Sequence, residues 1–512
     1  MPPRSEGADR RRVNAMKVHQ WLPSWDEVEF DSSQLRARPP EDFYLFTIPA
    51  ADLRALSGIF RRSAEGGLAR SRDLSIQRRH DAERSAEIRQ FVAHGFPWSA
   101  LSGQKRASGK FDDLKKPGWL PTAIVVNILK RDETRGGRSV HANDLIDVHP
   151  TGAGGADLLL PTGFAHSSWQ PSSVAPIEVI DGQHRLWAFE ERDFAPGFSL
   201  PVVAFHGLDI SWQAYLFYTI NIKPKKINAS LAFDLYPLLR TADWLDRFEG
   251  HPIYRETRAQ EITEALWSYP DSPWHARINM LGGKSTASVT QAAWIRSLLA
   301  TFVKSYEPRR VPIGGLFGAP LGGDKSVLAW SRPQQTAFVI LFWQELRDAI
   351  GACEDKWATE LRGQSTITPT EGDAAFSGRY SLLNTDQGVR GALAIANDLS
   401  YDSAARLKLR EIESDRVGDG TSEVAIAEAL ERFRDCSVGP FMKRLGAGLA
   451  SYDWRTAATP GLSDAESSAK ARFRGNTGYR ELRNDLLRHL ATTGGDIGNG
   501  ATAVSRALGF GG

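Results

Sequence analysis

Ile177-Glu178-Val179-Ile180-Asp181-Gly182-Gln183-His184-Arg185-Leu186-Trp187-Ala188-Phe189 is the stretch on which the reading of this chain turns. Ile177 to Ile180 is aliphatic and largely β-branched, which predicts a buried strand. Asp181-Gly182 breaks it, and Leu186 to Glu190 predicts a helix. A strand that ends in glycine at a helix start presents backbone N–H groups and the positive end of the helix dipole. That is an anion-binding arrangement. Arg185 adds a planar fork suited to phosphate oxygens. Asp181 stands where it can hold a metal ion or orient the turn, and Gln183 and His184 offer donors beside it. The same residues also fit an ordinary strand-to-helix turn capped by Asp181.

Further strands are predicted over Phe43 to Ile48, Ala123 to Leu129 and Leu200 to Phe205. Helices are predicted over Ala51 to Phe60 and over Asp81 to Val92. In the second, Asp81 serves as cap and Ile88, Phe91 and Val92 form an apolar stripe. Gly95-Phe96-Pro97 stops it. Ser102 to Lys116 reads as a basic surface loop, and Arg131 to Ser173 as a loop-like mixture. From Trp212 onward the pattern is helical. Segments fall at Asn228 to Leu239, Val289 to Tyr306, Gln334 to Ile350, Val389 to Ser400, Ser422 to Cys436 and Gly478 to Ala491. The Gly/Ala-rich end, Gly494 to Gly512, is expected to fray. Residues 1–40 read as a flexible tail, 41–240 as a mixed α/β domain, and 241–512 as a mostly α-helical region suited to docking DNA or a partner.

Composition narrows the classes. The chain has 512 residues, 41% hydrophobic and 24% charged, which excludes a long disordered protein or a collagen-like fibre. Lys+Arg minus Asp+Glu is 63 − 61 = +2, so no globally basic coat is present. Two cysteines exclude a disulfide scaffold and a multi-cysteine zinc site. No run approaches the roughly 18 apolar residues that span a bilayer, and the start lacks an apolar signal core. The expected place is cytoplasmic, with no membrane association. H-E-x-x-H, C-x-x-C, G-x-S-x-G and a post-strand G-x-G-x-x-G are all missing from the sequence. Gly282-Gly283-Lys284-Ser285-Thr286 imitates a P-loop, but Ile278 stands where that motif needs glycine.

The segment IEVIDGQHRLWAF resembles the defining motif of the DGQHR-domain family, which includes the DndB-like proteins of DNA phosphorothioation systems. That family is similar to the wider ParB/sulfiredoxin superfamily. Ile76-Gln77-Arg78-Arg79 and the helix after it, Phe96-Pro97 with Pro121 to Ile128, and Phe217 to Asn221 through Lys226 to Leu231 resemble its other elements in order. The resemblance covers about residues 43 to 240. It implies a ParB/sulfiredoxin-like α/β (α+β) domain with Gly182, Gln183, His184 and Arg185 beside nucleotide phosphates. Gln77 and Arg78 would face the same cleft, and Asn221, Lys223 and Asn228 would line its far wall. Asp181 would position magnesium or water. Gln183 and His184 occupy the region where sulfiredoxin has its cysteine, which argues against thiol repair chemistry.

Two basic clusters complete the set. Lys223-Pro224-Lys225-Lys226 concentrates positive charge, and Lys225 and Lys226 are candidate DNA contacts. Arg472, Arg474, Arg480 and Arg483 interleave with aromatics; Arg480 and Arg483 share one helical face able to follow a DNA backbone. The expected function is a nucleotide-binding, ATP-hydrolysing component of a bacterial DNA-modification or phage-defence system. It would use ATP or another NTP with Mg²⁺, Asp181 and Arg185 acting in catalysis, and its partners would be DNA and other proteins of the same operon. The alternatives are a non-enzymatic DNA-binding regulator and a ParB-like nuclease with Glu178 and Asp181 at its metal.

Overall fold

The computed structural model describes residues 10–32, 37–58, 81–135, 137–152, 154–165, 168–189, 197–221, 228–234, 252–282, 289–304, 312–318, 321, 328–364, 372–413 and 420–510. The chain divides into two units, Met1–Lys225 and Lys226–Gly512. The division falls ahead of the sequence-based boundary at 240.

The first unit is mixed α/β, built on an eight-stranded sheet ordered β3-β9-β4-β10-β2-β1-β8-β7. Its strands are β1 (Arg12–His19), β2 (Asp42–Pro49), β3 (Ser57–Gly58), β4 (Ile124–Ile128), β7 (Asp147–Thr151), β8 (Gly155–Leu159), β9 (Ile177–Asp181) and β10 (Ser199–His206). β5 (Thr134–Arg135) and β6 (Arg138–Ser139) form a separate short hairpin. β4 runs parallel to β10 and antiparallel to β9. The connection from β9 to β10 therefore straddles β4 and carries the motif turn across it.

Helices α1 (Ala50–Leu56), α2 (Ala82–His94), α3 (Gly103–Ala107), α4 (Gln183–Trp187) and α5 (Ile210–Asn221) complete this unit. Ile48, Leu53, Leu56, Ile124, Val126, Leu186 and Val202 bury the sheet against them. Asn127 is fully buried amid these apolar strands. Its Oδ1 accepts from the Leu208 N–H at 2.8 Å, which fixes the chain as it leaves β10.

Three expectations are corrected here. Residues 10–19, read as tail, hold β1 inside the sheet, paired with β2 and β8. The loop-like stretch 131–173 contains β5 to β8. The glycine-rich end, expected to fray, is helical over Gly495–Ala507.

The second unit is helical. Its helices are α6 (Ala229–Asp234), α7 (Pro252–Ser268), α8 (Gln291–Leu299), α9 (Arg332–Gly351), α10 (Lys356–Gln364), α11 (Ala374–Ser377), α12 (Asp386–Asp402), α13 (Glu423–Asp435), α14 (Val438–Ala450), α15 (Asp464–Ala471), α16 (Gly475–Ala491) and α17 (Gly495–Ala507). α9 is buried along most of its length and starts with a reciprocal Ser331–Gln334 capping box. Trp274, Trp294 and Trp343 meet edge to face at its core, with centroids 4.9 to 5.6 Å apart. Among the described residues no helix is long and apolar enough to cross a membrane.

Candidate functional site

β9 supplies the first half of the site. Val126 pairs with Val179 and Val125 with Asp181, so Ile180 is an extra residue on β9. Such a bulge resets the alternation of side chains along a strand. Simple alternation would put Glu178 and Asp181 on opposite faces; the bulge brings both toward α5. Gln213 donates to Glu178 at 3.1 Å, and Asn221 donates to Asp181 at 3.1 Å. Glu178 is buried and clasped by Arg135, with contacts of 2.6 to 3.1 Å. The two carboxylates are held by different partners, and Glu178 does not line the cleft at Asp181. The metal pair that a nuclease reading needs is not assembled.

Gly182 follows in the left-handed region at φ +93°, and α4 begins at once with Gln183, ahead of the helix start expected at Leu186. With only five residues, α4 has little of the macrodipole that a full helix would offer an anion. α2 lies across it. Its cap is the predicted one, with Asp81 accepting from the Arg84 N–H at 3.1 Å. Ser85 donates to the His184 carbonyl at 3.3 Å, and Arg89 Nε donates to the Ala188 carbonyl at 3.0 Å.

Between α2, the turn and α5 lies a cleft of about 790 Å³. Of the residues singled out from the sequence, Asp181, Gly182, Gln183, His184, Arg185 and Asn221 line it. Residues that the sequence did not single out also line it: Arg84, Glu87, Ile88 and Phe91 from α2, together with Leu120 and Phe217. The signal for Arg84 was present. It stands four before Ile88 and seven before Phe91, on the same helical stripe.

Two features set the chemistry. Arg185 lines the cleft, but its terminal nitrogens are engaged within the protein. Its Nη1 donates to the Thr122 carbonyl at 2.6 Å and to Thr122 Oγ1 at 2.5 Å, and its Nη2 pairs with Asp181 at 2.8 Å. Gln183 is 5% exposed, and its Oε1 has no hydrogen-bond partner among the described residues. A buried acceptor left unpaired costs about 1–3 kcal/mol, so a donor brought by a ligand is favoured there. Among the described residues, no three His, Cys, Asp or Glu side chains gather as a metal-ligand group.

The remaining expected residues fall elsewhere. Gln77, Arg78, Lys223, Lys225 and Lys226 lie outside the described residues. Asn228 belongs to the second unit and is not among the cleft-lining residues. It accepts from the Ser230 N–H at 2.9 Å, starting α6, and donates to the Gly282 carbonyl at 2.7 Å. Arg483 is turned inward onto the fully buried Asp398 at 2.6 Å rather than along a DNA-facing stripe. Arg472 is exposed but paired with Asp485 at 2.7 Å. Arg474 and Arg480 are exposed, Arg480 lying 5.5 Å from the Phe510 ring centroid.

His94 and His206, outside the cleft, are both held below their ordinary value, chiefly by burial. No family model, curated protein or solved structure matches this chain.

Proposed function

We propose that the cleft beside Asp181–Arg185 binds a nucleotide, ATP or another nucleoside triphosphate. On this reading the protein is a DNA-associated component of a bacterial DNA-modification or phage-defence system. The observation that carries it is the cleft itself. Its volume of about 790 Å³ lies in the range of small-molecule sites. Ile88, Phe91, Leu120 and Phe217 offer apolar surface to a planar ring, and Gln183, whose Oε1 has no partner among the described residues, lines the same cleft. The resemblance of this turn to the DGQHR motif supports the same ligand, and with it a ParB/sulfiredoxin-like relationship for the sheet unit.

Among the described residues, Asp181 and Glu87 are the carboxylates that line the cleft. Hard oxygen donors of this kind suit magnesium, which is commonly held by one or two carboxylates together with substrate phosphates. When bound, the ion would neutralise phosphate charge during hydrolysis. Asp181 would orient it, while Asn221 and Arg185 hold that carboxylate in place. Arg474 and Arg480 offer exposed positive charge for a nucleic-acid backbone.

The test is equilibrium titration of the full chain with ATP, GTP and CTP, with and without Mg²⁺ and duplex DNA. At least one nucleotide is expected to bind more tightly with Mg²⁺ than without, and Phe217→Ala is expected to weaken it. Absence of binding at millimolar nucleotide defeats the proposal. Duplex binding that falls steeply with salt, with no nucleotide bound, selects the regulator instead.

A further inference from the structure

Resting on the nucleotide reading of this cleft, we infer that Arg84 is the cation that recognises the phosphates, and that Arg185 is a strut that shapes the turn. Arg185 is built into the fold. Its two terminal nitrogens bridge from Asp181 to Thr122, tying the start of α4 to the segment leading into β4. A phosphate that took both terminal nitrogens would have to displace Thr122 and Asp181. Gly182 reinforces the arrangement, because a Cβ there would stand 3.0 Å from the Arg185 guanidinium.

Arg84 is in the opposite condition. It lines the same cleft, is exposed, and has no hydrogen bond or ion pair from its side chain among the described residues. It sits one turn ahead of Ile88 on the α2 face that forms the apolar wall. A ligand with its ring on Ile88 and Phe91 would extend its phosphates along α2 toward Arg84. Gln183, buried in the same lining with its Oε1 unpartnered among the described residues, would accept from a ribose hydroxyl or a base amino group.

Glu87 lies on the same rim, one turn from Arg84 and without an ion-pair partner among the described residues. Its negative charge opposes a bare polyphosphate and favours one whose charge is reduced by Mg²⁺. The inferred ligand is therefore a metal-bound nucleoside polyphosphate rather than a free anion.

The experiment titrates ATP and inorganic tripolyphosphate, each with and without Mg²⁺, into wild type, Arg84→Ala, Glu87→Gln and Arg185→Lys, with a thermal melt of each. Arg84→Ala is expected to weaken ATP by about tenfold to a hundredfold, the usual range for one charge-assisted hydrogen bond, while melting like wild type. Glu87→Gln is expected to tighten Mg²⁺-free tripolyphosphate. Arg185→Lys is expected to lower the melting temperature. ATP bound equally well by Arg84→Ala overturns the inference and leaves the nucleotide reading standing. Tripolyphosphate bound through Arg84 without any ATP binding overturns the nucleotide reading and keeps the anion site. If neither ligand binds wild type, both fail.

Discussion

Gly182 occupies a position that no other residue fills without strain. Its φ of +93° lies in the left-handed region, and a Cβ there would approach Ile124 Cδ1 to 2.7 Å. Gly182→Ala is therefore expected to cost about 1–3 kcal/mol of stability. Denaturant unfolding checks this; an unchanged midpoint would show that the turn tolerates a side chain. The motif was legible from sequence at this level because glycine after a β-branched run has few other uses. The roles within it were less legible. Arg185 carries the charge and the fork of a phosphate ligand, and only its distances to Thr122 and Asp181 reveal that these donors are engaged. Arg84 was passed over because it stands among the other charged residues at the polar start of α2. Its alignment with Ile88 and Phe91 marks it only when the helix face is known to border a cleft.

β1 shows how an element hides. Its burial alternates, but only Ala15 is buried, and arginines precede it. Those arginines fasten the strand rather than solvate a tail. Arg10 bonds the Leu145, Leu159 and Leu160 carbonyls and the Asp147 carboxylate, and Arg11 pairs with Asp52 at 2.7 Å. β1 lies between β2 and β8, so removing residues 1–19 strips hydrogen-bond partners from both. The truncated chain is expected to lose strand content by circular dichroism and cooperative melting of the sheet; retention of both would refute the placement. α17 was misread for a related reason. Its glycines suggested fraying, yet Ile497, Ala501 and Val504 form a buried stripe. A Cβ at Gly500 would come within 3.4 Å of Leu399, and one at Gly498 within 3.3 Å of the Leu490 carbonyl. Small residues there permit close packing. By contrast β4, β9 and α9 were legible because long apolar or β-branched runs have few other ways to be buried.

The molecule as a whole divides its labour between a sheet unit that holds the cleft and a helical unit with a large apolar core. That division was visible in the change of periodicity near Trp212, although the boundary was not, because α5 is helical yet belongs with the sheet. Stability of the sheet unit should depend on pH. Burial lowers His206 and His94 below their ordinary value of 6.5, so the unfolded chain takes up protons first as pH falls. Their contribution is full above about pH 6.5 and is lost below it. Melting temperature is expected to drop between pH 7.5 and 5.5, and His206→Gln should flatten that drop; parallel curves would count against it. The bulge in β9 turns two of its carboxylates toward one helix. Glu178 and Asp181 grip α5 at Gln213 and Asn221, near its two ends. The inner grip is a buried amide–carboxylate hydrogen bond, and the outer one borders the cleft. Any change in charge at Asp181 bears on the last turn of α5, the turn from which the chain leaves the sheet.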